Sequence, residues 1–561
     1  MLQRSKLETT AGKNWRIFAS AAVSVLLFSG SAELVRAADG DLDPTFGIGG
    51  KVVTDFSNSS EWLSRIALQP DGKIVAIGES SQPFDFPKFA LARYNPDGSL
   101  DATFGNGGRV ITVIAAVREY AHGLVLLPDG KIMISGSIDQ PNESDTSFAL
   151  LRYNSDGSLD TTFGQGGLVK TNINNDDDRA YALARQSDGK IVAAGKRGIH
   201  FYPTEQRKGN VALVRYNPDG SLDATFGNGG IVVNDFGQGL ESYAIDVVIQ
   251  PDGRIIIAGE SAYAFLVARY NSNGTLDTTF GNGGFREVNF GDLSWDHGRD
   301  AVLQDDGKII VVGTAEINSP YDSFAVARFN PDGSLDQSFG SGGKFVMVDV
   351  GDLEAGALQS DGKLIALGDD SESFKLLRFN LDGSLDSTFG SGGIITTTFG
   401  GSAAAGSDLV FQPDGKLLAG GITSTDIYYN NSDFALARYL DGFQLTAAVS
   451  RKTHGSAGTF DMNLPLTGQP GVECRNSGGN HMLVFTFNST IVDGEVSMTS
   501  GSGAVSDKPA YAGNAMTVNL NSVTDAQTLT LTLHNVIDTS SRVLPDTTVR
   551  VSMLAGDTNG T

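Results

Sequence analysis

Between residues 40 and 440 the apolar positions fall into runs of four to eight residues, free of interior proline and closed by glycine-bearing turns. Runs of that length leave no room for helices and predict strands. Four kinds of run recur in fixed order. The first is a short apolar stretch ahead of a turn, as in RIALQPDGK from Arg65, whose Asp-Gly pair predicts a tight hairpin with both central residues at positive φ. The second is KIVAIG from Lys73, with counterparts at Lys131, Lys190, Arg254, Lys308, Lys363 and Lys416. FALARYN from Phe89 is the third; it returns from Phe148, Val211, Phe265, Phe324, Phe374 and Phe434, each time ending in Arg and an aromatic. The fourth follows a glycine-rich corner, as in KVVTDF from Lys51 and RVITVI from Arg109.

That corner sets the period. It reads GDLDPTFGIGG from Gly40, GSLDATFGNGG from Gly98, and returns in near-identical form from Gly157, Gly220, Gly274, Gly333 and Gly383. A spacing of 50 to 63 residues means one supersecondary unit in tandem. A repeated four-stranded unit of this size predicts an all-β, seven-bladed β-propeller over residues 38–442. The series opens with a corner and fourth strand at 40–56 and stops at 434–440 with a third strand that has no corner after it. The N-terminal strand is therefore expected to complete the last blade and close the ring without a free sheet edge. An open solenoid would expose two edges and call for capping repeats, which the sequence does not offer.

The LDxTFGxGG corner and the PDGK turn resemble the bacterial delta-60 repeat family over about residues 40–440. The resemblance implies an exported, propeller-like protein and brings no catalytic residues with it. Departures from the pattern are Asp41 in place of the usual Ser, Leu381 in place of Pro or Ser, and a last half-repeat, YLDGFQL, that lacks the corner. From 443 the motifs stop. The runs QLTAAVSRK, HMLVFTFNSTIV, AMTVNLNSV, TLTLTLHNVI and TTVRVSML alternate apolar with polar residues and predict a small antiparallel, immunoglobulin-like β-sandwich over 443–555. The segment 556–561, GDTNGT, resembles the opening of a dockerin-type calcium repeat. With only Asp557 and Asn559 of such a loop it is not expected to hold calcium.

Composition narrows the partners. The chain of 561 residues carries a net charge of −24, which argues against nucleic acid or an anionic membrane surface. Its single cysteine, Cys474, has no internal disulfide partner. Arg4, Lys6, Lys13 and Arg16 precede an apolar run at 17–28 and a small-residue site ending at Ala37, the pattern of a signal peptide spanning 1–37. Cleavage after Ala37 would leave −27 on a secreted or surface protein with no membrane insertion.

Candidate chemistry is sparse. Asn95, Asp97 and Asp101 are spaced like calcium ligands, but Arg93 stands where a further acid belongs; the reading preferred is an Asx turn at Asp97 and neutralisation of Asp101 by Arg93. His122, His200, His297, His454 and His481 lack metal-binding spacing, no serine sits in a GxSxG elbow, and Cys474 beside Glu473 and Arg475 reads as structural. No cofactor, metal or catalytic residue is expected. The expected role is an exported binding or surface-interaction scaffold for an extracellular glycan or protein. The alternative is a polysaccharide hydrolase or lyase, which requires acids or histidines from several blades to converge at the channel mouth. A third reading, a structural spacer, requires no exposed aromatic patch. The corners and PDGK turns share one face, so a ligand site belongs on the other. There, nine residues before each turn Asp, stand Trp62, Tyr120, Arg179, Tyr243, His297, Asp352 and Ala405, with Phe84, Phe86, His200, Phe201, Tyr202, Tyr263, Tyr321, Tyr428 and Tyr429 in adjoining loops.

Overall fold

The computed structural model describes residues 40–553 except 57–58, 83–84, 116, 140–145, 174–176, 200–207, 292–294, 318–321, 349, 428, 430, 441, 443–444, 454–457, 467–470, 474–479, 488, 525, 540–543 and 545. Among the described residues there is no helix. Seven antiparallel four-stranded sheets follow one another. The first consists of Ser60–Leu68, Ile74–Ser81, Lys88–Tyr94 and Arg109–Thr112, each strand pairing with the next. The seventh has Ala403–Phe411, Leu417–Ser424 and Ser432–Tyr439, and its fourth strand is Lys51–Thr54 from the start of the chain, in register Lys51 to Ala437 and Thr54 to Phe434.

The second and third strands of the sheets are buried on both faces; every residue of Ile255–Ser261 and Ala264–Tyr270 is buried. This is why the runs are continuously apolar rather than alternating. Each sheet packs on its neighbour through an apolar cluster. One joins Val75, Ile77 and Leu91 of the first sheet to Ile132 and Ile134 of the second, and another joins Leu418, Phe434 and Leu436 of the seventh to Leu63, Ile74 and Ala90 of the first. First strands lie against first strands, including Ser60–Leu68 against Ala403–Phe411.

The repeated motif letters are explained by one cluster per sheet. Asp101 Oδ2 lies 2.8 Å from Arg93 Nε and 2.9 Å from Nζ of Lys73, the PDGK lysine, while its Oδ1 accepts from Thr103 N at 3.0 Å and Thr103 Oγ1 at 2.7 Å. The guanidinium stacks 4.6 Å above Phe104 and donates to the carbonyl of Ser155 in the next sheet. Turn and corner thus share one face of the molecule. In the seventh sheet the cluster is assembled from both ends of the series: Asp43 meets Arg438 at 2.9 Å and Lys416 at 3.3 Å. The calcium-like spacing has the same explanation, because Asp97 Oδ1 accepts from Ser99 N and Oγ at 2.9 and 2.6 Å and Asp101 is held by two cations.

Two local expectations are corrected. Only Gly72 of the Asp-Gly pair takes positive φ, 83°. Its N–H bonds the Gln69 carbonyl at 2.9 Å, so the turn is a type I turn with Pro70 in its second position, closed by the left-handed glycine. The first strand begins at Ser60, five residues ahead of the apolar stretch from Arg65, because its leading half alternates buried Glu61 and Leu63 with exposed Trp62 and so shows no unbroken apolar run.

The C-terminal residues form two sheets. One runs Thr459–Leu464, Leu445–Thr453, His481–Phe487, Ala515–Asn521 and Ala504–Val505, with Ala510–Ala512 beside Ala515–Asn521; the other runs Gly471–Glu473, Thr547–Met553, Gln527–Asp538 and Ile491–Ser500. Leu483, Phe485 and Val518 from one and Leu529, Leu531 and Val551 from the other share a core. The expectation of purely antiparallel pairing fails at Gly471–Glu473, which runs parallel to Thr547–Met553. HMLVFTFNSTIV divides into two strands on different sheets. The 556–561 segment lies outside the described residues.

Candidate functional site at the mouth of the first strands

Each first strand carries a bulge. Pairing jumps from Leu63 to Arg65, Ala121 to Gly123, Ala180 to Ala182, Ala244 to Asp246, Gly298 to Asp300, Leu353 to Ala355 and Gly406 to Asp408. The glycine closing each KIVAIG-type run makes room for it, since a Cβ on Gly78 would lie 1.9 Å from the Trp62 carbonyl oxygen. The extra residue leaves the ladder and re-aims its side chain. These seven residues, Ser64, His122, Tyr181, Ile245, Arg299, Glu354 and Ser407, form a ring that sequence reasoning missed.

Two positions earlier stand Trp62, Tyr120, Arg179, Tyr243, His297, Asp352 and Ala405, all in one register. The structure therefore places the seven sequence-derived positions equivalently, at the sheet ends remote from the corners. Opposite them on the second strands are Glu79, Ser137, Lys196, Glu260, Thr314, Asp369 and Ile422. Ala405 brings no polar group. Trp62, 46% exposed, meets Tyr429 with ring centroids 5.9 Å apart.

From the second to the fourth sheet the site is aromatic. Tyr120 stacks on His122 at 6.3 Å, His122 lies 5.1 Å from Tyr181, and Tyr181 6.0 Å from Tyr243. Arg179 lies over Tyr120 at 6.0 Å and pairs with Asp177 at 3.0 Å; Lys196 reaches Glu241 at 3.2 Å. From the fourth to the sixth sheet it is ionic. His297 Nδ1 is 2.5 Å from Glu260 Oε2, which also accepts the Tyr243 hydroxyl. Arg299 is 3.5 Å from Glu354, and Asp352 accepts the Thr314 hydroxyl at 2.8 Å. A pocket of about 600 Å³ opens beside Asp352, lined also by Asp322, Asp370, Ser371 and Lys375. The larger one, about 680 Å³, lies on the corner face, where Lys190 and Arg215 are already spent on Asp223.

The electrostatics follow from burial. It lifts the Glu79 carboxyl to about 8, against the Ala121 amide and Arg179. Burial, with Asp352 and Glu354 beside it, lifts Asp369 to about 7. Burial, then Arg179 and Arg65, push His122 down to about 3, so that ring stays neutral, and its Nε2 has no hydrogen-bond partner. His297 is held above its ordinary value because Glu260 outweighs burial. Deeper in, burial works to lower Arg65, but Asp408, Asp300, Asp246 and Glu354 from four other sheets outweigh it. Three of these aspartates also bond the amide of the neighbouring first strand, at Ile66 (2.7 Å), Gly356 (2.7 Å) and Ala301 (3.1 Å). Acids from four sheets thus act on Arg65, and one histidine, His297, meets an acid nearer the strand ends.

Of the loop aromatics, Phe86 is exposed beneath Arg118, and Tyr263 stacks at 4.8 Å on Trp295, which sequence reasoning overlooked. Phe84, His200, Phe201, Tyr202, Tyr321 and Tyr428 lie outside the described residues, as do His454 and Cys474. In the C-terminal sheets Ser497 Oγ, His534 and Asp546 form a chain of 2.8 and 2.9 Å contacts. The Asp546 side chain is 65% exposed, so water competes for the same bonds.

Seven segments, 69–104, 127–163, 186–226, 250–280, 304–339, 359–389 and 412–440, match the model of a family described as a domain of unknown function (DUF5122) beta-propeller; the chain is a repeat β-propeller protein. No curated protein matches it. Solved structures similar to it include a catalytically inactive virginiamycin B lyase from Staphylococcus aureus with quinupristin, at 11% identity and TM-score 0.42 over 69% of this chain and 98% of that one. A fungal alcohol oxidase in complex with copper is similar at 11% identity and TM-score 0.40, over 90% and 99%. Drosophila Plexin A in complex with Semaphorin 1b gives 11% and 0.36, over 72% and 88%.

Proposed function

We propose that the chain is an exported scaffold that binds an extracellular glycan at the mouth of its first strands, with the ring closed by the N-terminal strand and residues 443–555 forming a separate sandwich. One observation carries the reading. Seven register-equivalent positions, backed by near-identical corners, present six different residue types, and with their neighbours these sort into an aromatic arc, Tyr120 to Tyr243, that continues into Glu260, His297, Arg299, Asp352 and Glu354. Aromatic faces receive the C–H faces of sugars, while carboxylates and guanidinium take their hydroxyls, and a ring of unlike residues suits one asymmetric ligand. A folded protein partner would use the same aromatics as anchors and is the competing outcome. Binding of the purified chain to a glycan array tests the proposal. Specific retention of one glycan class, competed by the free sugar, is expected; retention of none removes the glycan reading.

A second reading rests on the His297–Glu260 contact of 2.5 Å. A carboxylate that orients an imidazole is the arrangement of a general base, and carboxyls held protonated near neutral pH supply the matching acid. On this reading the bound polysaccharide is also cleaved. New reducing ends from the bound glycan, lost in His297→Gln while binding persists, would establish it; an intact glycan after prolonged incubation would leave binding alone.

A further inference from the structure

Where the first and seventh sheets meet, three carboxylates come together. Asp55 follows the N-terminal strand Lys51–Thr54, Glu61 is the second residue of Ser60–Leu68, and Asp433 the second of Ser432–Tyr439. One oxygen from each lies within 4.8 Å of the other two. Glu61 is 1% exposed. Its Oε1 accepts the hydroxyls of Ser59 and Ser80, whereas Oε2, equally buried, has no donor. The Ser432 hydroxyl bonds the Glu61 carbonyl at 2.5 Å, fixing the two sheets at this point, and Arg109 donates to the backbone carbonyl of Asp55.

The next interface shows how the same geometry is neutralised. Glu119 is the register equivalent of Glu61, and Lys88, preceding Phe89, is the equivalent of Asp433, preceding Phe434. Lys88 Nζ lies 3.6 Å from Glu119 and donates to the carbonyls of Ala115 and Val117 at 2.7 and 2.6 Å. In the other sheets that position holds Ser147, Asn210, Ala264, Ser323 and Ser373. At this position only the last sheet and the first set acid against acid, and like charges this close, one of them buried, need either a proton or a counter-ion.

We propose that Asp55, Glu61 and Asp433 bind one hard divalent cation, calcium by preference, which takes the place that the Lys88 ammonium fills at the neighbouring interface and locks the N-terminal strand to the first sheet. The donors are all oxygens, which selects against soft metals. Three oxygens within 4.8 Å of one another can share one ion at calcium–oxygen distances of about 2.3–2.6 Å, and a site assembled from three strands suits the flexible coordination of calcium better than the near-ideal octahedron that magnesium demands.

The test uses the full chain after removal of metals with chelator, titrated calorimetrically with calcium and with magnesium and melted in each state. Expected are one calcium per chain, weaker magnesium binding, and a melting temperature raised by calcium. Asp433→Asn should lower calcium affinity at least about tenfold, since it removes one ligand charge. Asp433→Lys, which rebuilds the Lys88 arrangement, should abolish the calcium response and melt in chelator no lower than the parent does. Absence of calcium binding by the parent chain, or calcium binding unchanged in both variants, overturns the proposal: the first leaves a shared proton in the cluster, the second puts the ion elsewhere.

Discussion

A Cβ on Gly313 would lie 2.0 Å from the His297 carbonyl oxygen, so this glycine holds open the bulge that aims His297 and Arg299. Gly313→Ala should shift those side chains, lower the melting temperature and weaken ligand binding together; a variant that melts and binds like the parent would show that the bulge does not depend on the glycine. Ionisation acts at the same scale. Glu79 and Asp369 titrate near 8 and 7 when folded but near 4 when unfolded, so the folded chain keeps protons that the unfolded chain has lost. Stability on their account falls as pH rises from about 4 to about 8. The corner aspartates act oppositely: burial works to raise Asp101, but Thr103, Lys73 and Arg93 outweigh it and hold it well below the usual range. Their contribution is present above about pH 4 and lost below it. Greatest stability is therefore expected in mild acid, and Glu79→Gln should give a melting gain that grows between about pH 4 and 8; a pH-independent gain would contradict the assignment to Glu79. The corner residues were legible because seven copies spell out one cluster. The Glu260–His297 contact was not, since the two residues are 37 positions apart and His stands at its register position in one sheet alone.

At the scale of the element, turn and corner are one unit. Lys73, Arg93, Asp101, Thr103 and Phe104 satisfy one another and Ser155 of the following sheet. Removing one partner leaves the other charge buried, which costs about 3–5 kcal/mol for fully buried pairs. Arg93→Ala should accordingly destabilise more than Lys73→Ala, whose side chain is 28% exposed; equal losses in thermal unfolding would show that the stacked guanidinium has no special part. Second and third strands could be read from sequence because burial on both faces leaves an unbroken apolar run. The leading halves of the first strands could not, because their outward residues serve the mouth rather than the core. The turn was misjudged because it is longer than a two-residue Asp-Gly hairpin: the same bond from the glycine N–H to the carbonyl three residues back closes it whether Pro70, Ser187, Asp305 or Ser360 holds the second position.

For the molecule as a whole, the decisive feature is that sheet seven takes its fourth strand from the beginning of the chain, together with Asp43 for its corner and Thr54 for the Tyr94 hydroxyl at 2.9 Å. Deleting residues 40–56 removes all three and bares a strand edge; the variant should aggregate or melt far below the parent, and equal melting would mean that the fold does not depend on this strand. The phase of the repeats, which open with a corner and fourth strand and stop at a third strand, made that arrangement readable. The C-terminal topology was less so, because alternation marks strands but not the sheet each one joins, and HMLVFTFNSTIV hides a crossover between two sheets. The measurement that bears most directly on the proposed site is titration of a glycan captured on the array against the chain carrying Trp62→Ala, Tyr120→Ala and Tyr243→Ala together, with melting curves alongside. Affinity reduced at least about thirtyfold, the equivalent of one hot spot of about 2 kcal/mol, with melting preserved, is expected; unchanged affinity in a folded triple variant would contradict a site at the mouth of the first strands.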